Sequence, residues 1–234
     1  MPRCLLDRRV VHCLMEWPLL SSLSAPEQRL VLARMHRRRY ARGETLFHEG
    51  DLGEAIHFIQ EGRVVSRRTT RQGDTVTFAL LGPGDVFGEM AMLAEDHRRS
   101  STISAIEVVV TQTLRFDEFQ RLCEEHPAVQ GLLVRMLVQR VDRLSTHLLD
   151  ALYLSADLRV LRSLVELCGH YADGLPSGEV ILPLTQVEVA ELSGASRPTT
   201  NRFLRRLEEK GIVRLNRGRV SVLDVEALRT VSPR

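Results

Sequence analysis

The chain has 234 residues, 44% hydrophobic and 26% charged, with a formal net charge of only +2. That is enough chain for about two domains of an ordinary globular protein, and the whole-chain charge announces no polyanionic partner. No run approaches the ~18 apolar residues of a membrane-crossing helix, and no charged–apolar–small leader opens the sequence. Cys4, Cys13, Cys123 and Cys168 are scattered without a Cys-x-x-Cys pair. Reduced thiols in a cytoplasmic protein are therefore expected, not a disulfide frame. The eight histidines show no ligand spacing, so neither a metal nor a resident cofactor is expected.

The first ~15 residues are basic and irregular and read as a loosely ordered extension. Trp17, Leu19, Leu20 and Leu23 form an apolar patch. Ser24 as N-cap, Pro26 early and Glu27 at the capping-box position predict a helix, with Leu30, Val31 and Met35 on one face. Arg37, Arg38 and Arg39 follow and suit a solvated strand edge. From Tyr40 to about Phe116, short apolar runs are cut by Gly43, Glu49-Gly50-Asp51, Glu61-Gly62, Gln72-Gly73-Asp74 and Gly82-Pro83-Gly84-Asp85. Strands are expected at 45–47, 56–59, 64–68, 75–80 and 102–113, which together indicate an all-β roll or barrel.

The stretch 82–92 carries three glycines and then Glu89; Arg99, Ser100, Ser101 and Thr102 follow ten residues further on. Glycine lets backbone N–H groups approach a ligand closely. An arginine fork matches two phosphate oxygens, and Ser100 adds a further donor. Like charges repel, so Glu89 suits a sugar hydroxyl and not the phosphate. Together these describe a nucleotide held by its sugar-phosphate part. A structural alternative is an internal Glu89–Arg99 salt bridge.

Phe87-Gly88-Glu89-Met90-Ala91 with Arg99-Ser100-Ser101-Thr102 resembles the phosphate-binding cassette of cyclic-nucleotide-binding domains in the Crp/Fnr superfamily. Arg42-Gly43-Glu44 and Glu49-Gly50-Asp51 are similar to the opening of that family's β-roll. The resemblance implies that Glu89 takes a ribose 2′-hydroxyl and Arg99 a cyclic phosphate. Gly88, Met90, Ala91 and Ser100 would complete the cradle. Fnr-type members hold an iron–sulfur cluster, but Cys4, Cys13 and Cys123 do not reproduce that cysteine pattern. A haem-sensing role fits the sequence poorly.

Pro127–Tyr153 reads as one long helix, with proline at an early position. Val134, Leu137, Val141, Leu144, Leu148 and Ala151 recur in alternating steps of three and four, a heptad seam for a partner helix. Arg135, Arg140 and Asp142 lie off the seam. In the family this helix is the dimer interface and closes over the base. Members responsive to cyclic AMP read adenine there with a Thr-Ser pair, where this chain has Leu144-Ser145. Leucine has neither donor nor acceptor. Ser145 remains the expected base contact, with cyclic AMP the first ligand and relaxed base choice or another ligand the alternative.

Ser155-Ala156-Asp157 breaks the long helix. An amphipathic helix at 158–168 and a turn-rich stretch at 170–179 follow. Thr185-Gln186-Val187-Glu188 forms a second capping box, opening a short helix through Leu192. Ser193-Gly194-Ala195 is a tight turn, and Ser196 caps the next helix. Two helices across a short glycine turn make a helix-turn-helix. Thr200, Phe203, Leu204 and Leu207 supply its core face, while Arg197, Asn201 and Arg205 lie four apart on the opposite face beside Arg202. Arginine and asparagine on one face suit guanine and adenine edges in the major groove. Ile212 to Val222 reads as a hairpin with Arg217 at its tip. From Ser196 to Arg219, eight basic residues face two acids, a net of +6, as phosphate binding requires. The run from Ala195 to Arg202 is similar to the family's recognition-helix signature Ser-Arg-Glu-Thr-Val-x-Arg, with Pro198 in place of the cytosine-reading glutamate.

The expected fold is α+β. A roll-bearing segment (1–126) leads to a dimerisation helix (127–154) and a winged helix-turn-helix (155–234). The resemblance implies a homodimer regulating transcription. Ser196, Arg197, Thr199, Asn201, Arg202 and Arg205 would face double-stranded DNA, with Arg214 and Arg217 on its phosphates. RNA polymerase is a further partner that it implies. A constitutive DNA binder using the roll only as scaffold is the competing expectation, and cyclic di-GMP a competing ligand. No nucleophile–base pair or phosphate-transfer loop supports an enzyme.

Overall fold

The computed structural model describes residues 17–69, 75–171 and 179–231. The N-terminal extension, Cys4, Cys13, the turn at 72–74 and most of the stretch at 170–179 lie outside them. The chain divides into two compact units. One holds the chain up to Ser66 together with Leu80–Arg143; the other holds Arg67–Ala79 together with the chain from Leu144 onward.

Helix α1 (Ala25–Arg34) starts as its sequence dictates: the backbone N–H of Ser24 donates to Glu27 Oε2 at 2.7 Å in a complete capping box. Its buried pair is Val31 and Leu32, whereas Leu30, expected on one face with Val31 and Met35, is 64% exposed. The helix ends at Arg34, and Met35 enters the core as its C-cap residue. Strands β1 (His36–Tyr40), β8 (Val109–Arg115), β3 (Ala55–Glu61) and β6 (Val86–Phe87) form one antiparallel sheet in that order. The second runs β2 (Thr45–Phe47), β7 (Thr102–Ala105), β4 (Val64–Thr69), β5 (Thr75–Leu81). His36 to Arg39 are exposed on the edge strand, as expected. The run expected as one strand over 102–113 is two strands, β7 and β8, in different sheets. Apolar patterning continues through the corner because Ile106 stays buried while its N–H bonds to Arg63 O at 3.1 Å. Sequence period alone does not reveal such a sheet switch.

Trp17 anchors the chain entering the roll. Its ring packs edge-on against Phe58 with centroids 5.4 Å apart, and Nε1 donates to Ile59 O at 2.8 Å. Two α-helices of the first unit went unforeseen: α2 (Glu89–Leu93), behind the glycine-rich turn, and α3 (Phe116–Glu125), which buries Phe119 and Leu122. Helix α4 (Pro127–Tyr153) has the expected bounds. It buries Val129 and Leu133, and Leu137 packs against the same core instead of joining the outer seam. The exposed apolar stripe runs through Val134, Val138, Val141, Leu144, Leu148 and Leu152.

The second unit contains α5 (Ala156–Tyr171), β9 (Val180–Leu182), α6 (Gln186–Ser193), α7 (Arg197–Glu209), β10 (Val213–Asn216), β11 (Arg219–Val222) and α8 (Val225–Thr230). Thr185 Oγ1 accepts from Glu188 N–H at 3.2 Å, and Gly194 ends α6 at φ 57°, a left-handed conformation that glycine adopts without strain. The wing is three-stranded, β10-β11-β9, where the sequence had suggested a simple hairpin.

Candidate functional site

The glycine-rich turn positions the cassette. Gly88 caps α2 at φ 87°, and a Cβ there would lie 2.4 Å from Arg99 Nη1. Side-chain absence and backbone freedom are both needed at this position. Arg99 is buried. Nη1 donates to Gly88 O and Nη2 to Ala55 O, each at 3.0 Å, and the guanidinium lies 4.1 Å over the Phe47 ring. The fork is therefore locked in place by carbonyls and an aromatic face before any ligand arrives. Ser100 is exposed, its hydroxyl 3.6 Å from Met90 Sδ; Met90 is exposed and Ala91 buried.

Glu89 is fully buried. Its Oε1 accepts from Arg140 Nη1, while Arg140 Nη2 donates to Val86 O. The ion pair that Glu89 makes is thus with Arg140 of the long helix, not with Arg99. Burial pushes the Glu89 carboxyl above its ordinary range, against the opposing pull of Arg140 and Arg99. Glu89 Oε2 and Arg99 Nε are buried with no hydrogen-bond partner among the described residues. One acceptor and one donor left bare in a glycine-lined turn fit a ligand that offers a hydroxyl and an anionic oxygen.

Sequence reasoning placed Arg140 off the seam and gave it no part in the site. The signal that could have found it is helical spacing: Arg140 stands one turn before Leu144, the position already matched to base reading. Leu144 and Ser145 are exposed on α4 and belong to the second unit.

The DNA-facing candidates gather on α7 and the wing. Ser196 caps α7: its Oγ accepts from Thr199 N–H at 3.3 Å and lies 3.0 Å from Thr199 Oγ1. Thr200, Phe203, Leu204 and Leu207 are buried, leaving Arg197, Asn201, Arg202 and Arg205 exposed on the outer face. Arg206, one of the eight basic residues between Ser196 and Arg219, instead pairs with Asp157. Arg217 is exposed in the two-residue turn between β10 and β11; Arg214 is exposed and stands 3.8 Å from Glu179. Glu208 accepts from Leu215 N–H at 2.8 Å, so the end of α7 orders the first wing strand.

A β-roll with a phosphate cradle, a long helix and a winged helix-turn-helix define a DNA-binding regulator that carries a cyclic-nucleotide-binding domain. Residues 37–126 match the cyclic nucleotide-binding domain and residues 158–231 the Crp-like helix-turn-helix domain. The cyclic AMP receptor protein of Thermus thermophilus is 34% identical over 218 residues, 92% of this chain and 96% of that protein. The CRP-like cAMP-activated global transcriptional regulator of Mycobacterium tuberculosis is 31% identical, over 81% of this chain and 84% of its own length. Among solved structures, the Thermus thermophilus catabolite activator protein matches with a TM-score of 0.52 at 33% identity, covering 91% of this chain and 96% of that one. The c-di-GMP responsive regulator CLP of Xanthomonas campestris shares the fold with a TM-score of 0.74 at 22% identity, over 86% of this chain and 99% of that one. The chain belongs to the Crp/Fnr family of DNA-binding transcription regulators.

Proposed function

We propose that the protein is a homodimeric, sequence-specific regulator, acting in the cytoplasm, whose DNA binding is controlled by cyclic AMP held at Gly88, Glu89, Met90, Ala91, Arg99 and Ser100. The observation that carries the ligand reading is the bare, buried Oε2 of Glu89 facing the problem a ribose 2′-hydroxyl solves. Arg99 and Ser100 take the cyclic phosphate; Ser145 is the base contact assigned by sequence. The names of the Thermus and Mycobacterium relatives support cyclic AMP as the nucleotide. The exposed stripe on α4 provides the dimer seam, since a second copy of the same helix covers it by knobs-into-holes packing. Two α7 helices then meet half-sites about one DNA turn apart. Arg197, Asn201, Arg202 and Arg205 read base edges, while Ser196, Thr199, Arg214 and Arg217 hold the sugar-phosphate backbone. RNA polymerase contact belongs to the same reading.

Control requires that the ligand bind one dimer arrangement better than the other. Leu144 favours a second reading, in which base choice is relaxed or the signal is another ligand such as cyclic di-GMP, or the roll is a passive scaffold. Calorimetric titration with cyclic AMP, cyclic GMP and cyclic di-GMP, on wild type and Arg99→Ala, separates these. Saturable cyclic AMP binding lost in the variant is expected. Equal binding of both mononucleotides would establish relaxed base choice. Absence of heat with all three overturns the cyclic-nucleotide reading.

A further inference from the structure

One guanidinium in the second unit joins two helix ends. Arg159, in the first turn of α5, donates from Nη1 to Leu154 O at 3.1 Å, from Nε to Ser193 O at 3.2 Å and from Nη2 to Gly194 O at 2.9 Å. Leu154 directly follows the end of α4; Ser193 and Gly194 close α6. Carbonyls at helix C-termini lack intrahelical partners and carry the negative end of the macrodipole. A cation satisfies both needs at once. Only a planar fork reaches two successive carbonyls on one side and a third on the other.

Further ties repeat the pattern along the same path. Arg162 of α5 pairs with Asp150 near the end of α4, and Asp157 of α5 pairs with Arg206 in the last turn of α7. The backbone breaks helix at Leu154 and Ser155, where a free joint would otherwise lie. Side chains on α5 bridge that break, and Arg159 touches both the carbonyl that follows α4 and the turn that leads into α7.

We infer that Arg159 is a positioning residue for DNA reading: it fixes the start of the recognition helix to the end of the long helix, so the two move as one body. This rests on the regulatory reading above. Rotation of the last turns of α4 is then passed to Arg197 and Asn201 without slack. In a dimer, the angle between two α4 helices becomes the angle between two recognition helices.

The test uses the full-length protein, with Arg159→Ala and the charge-retaining Arg159→Lys, which lacks the fork. The operator is selected from a random DNA library with wild type in the presence of cyclic AMP, and anisotropy gives affinities for it, for random DNA, and for versions with half-sites moved by one base pair. Both variants are expected to keep random-DNA affinity and its salt slope. Their operator-to-random ratio should fall roughly tenfold, the scale of one charged hydrogen bond, and their preference for one spacing should broaden. An unchanged ratio and spacing preference, or an equal loss on both DNAs, overturns the positioning role. Hydrogen exchange over Leu154 to Ala156 and Ser193 to Thr199 reads the tie without DNA. Faster exchange confined to these segments in Arg159→Lys is expected, and unchanged exchange overturns the inference even where wild type selects an operator. If exchange reports the tie but wild type selects no operator, the regulatory reading fails, and a role in DNA reading fails with it.

Discussion

His57 lies on the inner strand β3 with its ring stacked on Phe87, centroids 4.8 Å apart and planes 13° from parallel. Its Nδ1 has no hydrogen-bond partner among the described residues. Burial, with Arg99 and Arg38 nearby, pulls its pKa down to about 3. The unfolded chain takes up this proton near 6.5, while the folded chain refuses it until about 3. Between these values the unfolded state binds more protons, so stability is lost as pH falls. At pH 5 the loss from this one residue is about 2 kcal/mol relative to pH 7. His57→Phe keeps a ring against Phe87 and removes the titration; its urea midpoint should fall less between pH 7 and pH 5 than that of wild type. Parallel acid limbs in the two proteins would exclude His57 as the cause. None of this was legible beforehand, because one histidine in an apolar run does not disclose its neighbours. Glu89 and Arg99 were legible from their order and spacing. Arg140 was not, since its partner lies 51 positions away and only the folded helix brings it to Glu89.

Elements were readable where their ends carry chemistry. Ser24 with Glu27, Thr185 with Glu188, and Ser196 each announced a helix start that the structure contains. Pro127 and a break expected at Ser155-Ala156-Asp157 bounded α4, although the break falls at Leu154 and Ser155, and Ala156 and Asp157 already open α5. Helices α2 and α8 escaped because five and six residues show no helical period; β9 escaped because three residues show no alternation. Where the sequence predicted one seam on α4, Leu137 packs on the roll core, and Val138 and Leu152 lie with Val134, Val141, Leu144 and Leu148 among the exposed apolar residues. A helix with one apolar face on its own core and a second apolar face exposed carries two overlapping patterns, which a single heptad register cannot separate. The division of labour is testable. Leu148 is 60% exposed, so Leu148→Asp should leave the fold and its far-ultraviolet spectrum intact while shifting sedimentation from dimer to monomer at micromolar concentration. Leu133→Asp would instead unfold the roll. A Leu148→Asp variant that still sediments as a dimer would place the interface elsewhere.

At the scale of the whole molecule, cradle and recognition helix belong to different compact units, yet α4 contributes residues to both: Arg140 to the first, Leu144 to Tyr153 to the second. Under the proposed function, α4 is the segment whose residues fall in both units, and the coupling between nucleotide and DNA is the quantity to measure. Coupling of this kind is reciprocal: whatever factor the nucleotide adds to operator affinity, the operator adds to nucleotide affinity. A factor on the order of 10–100 is expected from typical coupling free energies. The salt slope of operator binding reports how many phosphates are neutralised. It should stay the same with and without cyclic AMP if the nucleotide reorients a preformed basic surface and creates no new one. Operator affinity measured with and without cyclic AMP, and cyclic AMP affinity measured with and without operator, closes the cycle. A factor near one on both sides would make the roll a passive dimer scaffold. A large factor accompanied by a steeper slope would mean that the nucleotide brings additional basic residues onto the DNA, and the mechanism would then be recruitment of contacts instead of their reorientation.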